Sequence, residues 1–85
     1  MSAAAIELFH SIPDADSARV RRFVIESALE PQVRFRNLVY PEVQRDFHAR
    51  GGSVVPALWV DGKLIQGADA VLARLRTLIG TGRTS

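Results

Sequence analysis

The sequence predicts an α/β fold in three layers, with helices on both faces of a four-stranded mixed sheet, in the order β-α-β-α-β-β-α. Three observations carry this prediction. An apolar-rich run at Ile6–His10 and an alternating run from Val33 flank a helical pattern, so a right-handed crossover sets the two strands parallel. Ala57-Leu58-Trp59-Val60 and Lys63-Leu64-Ile65 flank Asp61-Gly62, a strong signal for a two-residue hairpin. Helical spacing then returns from Ala68.

Taken in order, Ile6, Leu8 and His10 alternate with Glu7, Phe9 and Ser11, as in a short strand buried on both faces. Pro13 and Asp14 break it. Asp14 or Asp16 caps a helix expected to run to about Glu30, with Val20, Phe23, Val24 and Ser27 at helical spacing. Pro31 forces the preceding residue out of helical geometry. Val33 to Tyr40 reads as a half-buried strand, and Arg34 and Arg36 on its outer face suit a sheet edge. Pro41 opens a short helix to about Arg50, with Val43 and Phe47 inward, and Gly51-Gly52 stops it. The last helix buries Val71, Leu72, Leu75, Leu78 and Ile79 and is expected to end at Gly80. Residues 6–79 form one domain on this reading, with flexible termini at 1–5 and 80–85.

Composition narrows the function. The 85 residues carry 11 Lys+Arg against 9 Asp+Glu, a formal net charge of +2, too slight an excess to indicate a nucleic-acid or membrane-surface partner. No apolar run approaches the roughly 20 residues that span a bilayer, and a cytoplasmic location is expected. The cysteine count is zero, which excludes a disulfide staple, a thiolate nucleophile, a redox dithiol and thiolate-ligated metal.

The stretch Ser53-Val54-Val55-Pro56-Ala57-Leu58-Trp59-Val60-Asp61-Gly62-Lys63-Leu64-Ile65-Gln66-Gly67-Ala68-Asp69 resembles the second half of a glutaredoxin. That family carries Thr-Val-Pro, a hydrophobic strand, an Asn/Asp-Gly turn and Ile-Gly-Gly-x-Asp in the same register. Leu8-Phe9-His10-Ser11-Ile12-Pro13 resembles the family's first strand and its approach to the active site, so the likeness spans residues 6 to 79. It implies a thioredoxin-like α/β/α sandwich. It also places Asp14-Ala15-Asp16-Ser17 where a glutaredoxin has Cys-Pro-Tyr-Cys. A carboxylate at position 14 accepts the same helix N-terminal N–H groups as a thiolate, but it cannot attack a disulfide.

The resemblance further implies a cis-proline at Val55-Pro56, whose neighbouring backbone pairs with a bound peptide or glutathione. By the same likeness, Gly67, Ala68 and Asp69 hold the γ-glutamyl end of glutathione at a helix start. Two departures bear on that ligand. Ser11 stands where many glutaredoxins have Lys, leaving Arg45 or Arg50 as substitutes, and Ala70 replaces the second acid of the last motif. Beside these implied roles, Asp14, Asp16 and Ser17 are all helix-capping types, and a cap worth on the order of 1 kcal/mol accounts for them. Two aspartates with His10 nearby make a weak cation motif, and no metal is expected. His10, His48 and Trp59 read as structural.

The resulting expectation is a redox-inert glutaredoxin-like domain that binds a peptide, thiol ligand or protein partner through Ser11, Asp14, Ser17, Val55, Pro56, Gly67, Ala68 and Asp69. Glutathione is the candidate small ligand. One alternative is a glutathione-dependent enzyme in which Ser11 or Ser17 hydrogen-bonds the glutathione sulfur, as in the N-terminal domains of some glutathione transferases. Another is a thiol–disulfide oxidoreductase of cell redox homeostasis by homology alone, a chemistry that this chain has no sulfur to perform.

Overall fold

Strand β1 (Ile6–His10) takes a central place because both of its faces are apolar: Leu8 belongs to one core cluster and Phe9 to another. The computed structural model describes residues 6–82. Helix α1 (Ala15–Glu26) and a 3-10 turn at Glu30–Gln32 lead to β2 (Val33–Asn37), which runs parallel to β1. Helix α2 (Pro41–Ala49), the hairpin β3 (Ala57–Val60) and β4 (Lys63–Gln66), and helix α3 (Ala68–Gly82) complete the chain. The sheet order is β2-β1-β3-β4, with β3 antiparallel to both of its neighbours.

Leu8, Leu58 and Val33 pack with Val20 and Val24 of α1 and Val71, Leu72 and Leu75 of α3. On the opposite face Phe9 and Ala57 pack with Val43 and Phe47 of α2. These are the three layers expected. Asp61 (φ 54) and Gly62 (φ 73) both take the left-handed conformation that a tight hairpin turn demands. Gly52 is fixed by packing, since a Cβ there would lie 2.3 Å from the Phe47 ring.

Several element ends differ from expectation. Helix α1 stops at Glu26, four residues before Glu30. Ala28 turns left-handed (φ 57), its N–H donates to the Ile25 carbonyl, and the Leu29 N–H donates to that of Val24. That is a Schellman ending, and burial of Leu29 with Val24 completes it. Strand β2 ends at Asn37 rather than Tyr40, because the Asn37 side chain accepts the Val39 N–H at 3.0 Å and starts a turn. Helix α3 continues past Gly80 to Gly82, so residues 80–82 belong to the helix. The expected loose ends at 1–5 and 83–85 lie outside the described residues. Among the described residues no helix is long and apolar enough to cross a membrane.

Arg36 is not the free outer charge that the strand pattern suggested. It pairs with Glu7 and, at 3.1 Å, with Asp46, while its guanidinium lies 5.2 Å from the Phe9 ring centre. Arg50 joins the same group through Asp46 (2.9 Å) and Glu7 (3.2 Å), and stacks 4.7 Å over Trp59. Four charges from β1, β2 and the α2 end thus lie over an aromatic floor.

Candidate binding groove

The C-terminal ends of the parallel strands β1 and β2 open into loops, and loops there commonly build sites in α/β proteins. The first is residues 11–14. The Asp14 carboxylate caps α1 by accepting the Ser17 N–H at 2.7 Å, and its carbonyl takes the first helical bond from Ala18 at 3.0 Å. The Ser11 carbonyl accepts from the Asp14 N–H and from the Arg21 guanidinium, each at 3.2 Å. Arg21 also donates to Nδ1 of His10 at 3.1 Å. That ring is buried against Phe35, and burial first, then the charge of Arg21, lowers its pKa from 6.5 to about 4. His10 is therefore a neutral acceptor behind the loop. It forms no cation site with Asp14 and Asp16, and among the described residues no three metal-ligating side chains gather.

The second loop, residues 38–40, is held by the Leu38 N–H on the His10 carbonyl (2.9 Å) and by Gln44 on the Leu38 carbonyl (2.7 Å). The third leads into β3. The Gln66 side-chain oxygen accepts the Ser53 and Val54 N–H groups, each at 2.9 Å, and the Val55–Pro56 bond is cis.

Between the loops lies a groove of about 440 Å³ lined by Ser11, Ile12, Pro13, Asn37, Leu38, Val39 and Val55. None of these side chains ionises. Ile12, Val39, Tyr40 and Val54 are each at least half exposed, an unusual concentration of large apolar side chains in solvent. The Val55 backbone makes no hydrogen bond among the described residues.

The sequence-derived site residues divide around this groove. Ser11 and Val55 line it, and Asp14 caps the helix beside it. Ser17 is fully buried, and its hydroxyl accepts the Ser11 N–H at 3.1 Å, so it braces the loop from behind. Pro56 is buried, and its carbonyl accepts the Gly67 N–H at 2.9 Å. Ala68 packs into the core and Asp69 meets Arg19 at 3.3 Å, so neither reaches the groove lining. Arg50, one proposed substitute for the missing lysine, is committed to Asp46, Glu7 and Trp59. Arg45 is exposed on α2. Ile12, Pro13, Leu38 and Val39 also line the groove and were not anticipated as site residues. Their only signal is large apolar residues next to turn formers.

No protein-family model matches the chain, and no curated protein matches it in sequence. Solved structures do match. The thioredoxin-like protein BC3987 superposes with a TM-score of 0.65 at 15% identity, covering 86% of this chain and 97% of that one. The fold is thioredoxin-like. The holo form of glutaredoxin C1 from Populus tremula x tremuloides shares this thioredoxin-like frame, with a TM-score of 0.63 at 19% identity over 92% of this chain and 73% of that one. On the thioredoxin-like frame of the present chain, a carboxylate occupies the mouth of α1 and there is no cysteine at any position.

Proposed function

We propose that this chain is a thiol-free binding domain that takes an extended apolar segment of a peptide or partner protein into the groove beside Pro56. The carrying observation is an open groove with apolar walls and no ionisable lining residue, flanked by the unpaired backbone of Val55. An extended peptide gains main-chain hydrogen bonds from such unpaired backbone, while alternate side chains find the apolar pocket. Ile12 and Val39 offer the walls, and burial there contributes about 25 cal/mol per Å². Asp14 is occupied as a helix cap and carries no sulfur, so occupancy of the groove leads to no disulfide exchange.

Titration of the isotope-labelled full chain with a blocked peptide of alternating Val and Thr tests this. The expected result is saturable movement of the Ser11, Leu38, Val39 and Val55 amide signals, absent in Val39→Asp. No movement at millimolar peptide overturns the reading. Movement of Ser11, Val55 and Asp69 with reduced glutathione but not with peptide replaces it with a glutathione site.

A further inference from the structure

A second groove, of about 430 Å³, lies away from these loops between α1 and α3. Its lining comes from one face of each helix: Arg19, Arg22, Phe23 and Glu26 on α1, and Asp69, Leu72 and Arg76 on α3, positions three, four and seven apart. The Arg19–Asp69 pair and the Arg76 guanidinium 5.8 Å over Phe23 show that the helices lie side by side in the same sense. The lined length, Arg19 to Glu26, is about 10 Å at 1.5 Å per residue.

The charges on its rim are only partly paired. Arg19 and Asp69 form an exposed pair. Arg22 and Glu26 stand one turn apart without an ion pair, and Arg76 meets no carboxylate among the described residues. With Asp69 engaged by Arg19, two guanidinium groups flank the Phe23 and Leu72 floor, and Glu26 is the one remaining lining carboxylate to oppose them. A partner bearing carboxylates on either side of an apolar side chain matches this arrangement, because guanidinium forks pair two-fold with carboxylates and long apolar groups fill the floor.

From this we propose that the α1–α3 groove docks a short acidic segment of a partner protein, with one apolar anchor over Phe23 and Leu72 and its carboxylates on Arg22 and Arg76. This surface is separate from the groove beside Pro56, and neither site depends on the other. Glu26 weakens the interaction by like-charge repulsion and so limits its affinity.

The test is amide-signal titration of the labelled full chain with a blocked peptide of Asp and Glu around a single Leu. A peptide with Lys in place of each acid and inorganic phosphate serve as the other arms. The acidic peptide is expected to move the Arg22, Phe23, Leu72 and Arg76 signals. Its affinity should fall roughly twofold to fivefold in Arg22→Gln and in Arg76→Gln, and rise by a similar factor in Glu26→Gln. Raising salt from about 50 to 200 mM should weaken it further. All three substitutions are at exposed positions, so folding is retained. Absence of movement, equal movement with the Lys peptide, weaker binding in Glu26→Gln, or saturation of the same signals by phosphate alone would each overturn the proposal.

Discussion

Ser17 has no exposed surface, and its hydroxyl turns back to accept the Ser11 amide at 3.1 Å. A residue placed for a ligand by sequence likeness thus supports the wall of the groove from inside. Ser17→Ala leaves the Ser11 N–H without its acceptor in a half-buried loop. The expected cost is about 1–2 kcal/mol in urea unfolding, with faster hydrogen exchange at Ser11. Unchanged exchange there would show that the bond does not hold the loop.

His10 gives the fold a pH dependence whose sign is fixed by burial and by Arg21. Its pKa is near 4 when folded and 6.5 in an open chain, so the unfolded state binds more protons between those values. The stabilisation is complete above pH 6.5 and is lost as pH falls toward 4, up to about 3 kcal/mol. The quantity to measure is the difference in stability between wild type and His10→Leu across pH 4–7. The variant should lack this component, and identical pH slopes would refute it.

Ala28 holds the left-handed position that ends α1, a conformation that costs an L-residue roughly 1 kcal/mol relative to glycine. Its side chain is exposed. Ala28→Gly should therefore raise stability by about 0.5–1 kcal/mol, read as a higher denaturant midpoint with unchanged slope. A loss of stability would mean that the Schellman ending does not set this boundary.

Arg50 ties Glu7 and Asp46 to the face of Trp59, the only tryptophan in the chain. All three charged side chains are at least two-thirds shielded. Arg50→Met should cost about 1–2 kcal/mol, from two lost ion pairs and the cation–π contacts to Trp59 and Phe9. Trp59 emission should shift to longer wavelength as the indole face is uncovered. Unaltered emission would place the guanidinium elsewhere in solution.

The fold was legible wherever local chemistry repeats. Alternation at Ile6–His10, the Asp61-Gly62 turn and helical spacing at Val20, Val24, Val71 and Leu75 each point to a feature that the structure contains. The end of α1 was hidden because Ala28 carries no glycine signal, although its neighbours form the complete Schellman pattern. The Glu7–Arg36–Asp46–Arg50 group was hidden for another reason. Asp46 and Arg50 are one turn apart at the end of α2, but Glu7 and Arg36 come from β1 and β2, up to 43 positions away, and only the tertiary fold brings them to that pair. At the groove, Ser11 and Val55 were visible by likeness, and the Asp14 cap by its residue type ahead of a helical pattern. The apolar walls were not, since Ile12 and Val39 sit in turns where no period exists to betray them.

The N-terminus of α1 holds the Asp14 carboxylate, which accepts the Ser17 N–H, so a thiol placed at position 14 would lie in the same field. The pH dependence of alkylation of Asp14→Cys tests this most directly, because that thiol is then the only one in the chain. Stabilisation by the helix N-terminus predicts a thiol pKa at least about one unit below the ordinary value of roughly 8.5. A value at or above 8.5 would contradict it, showing that position 14 does not lie in the field of the helix.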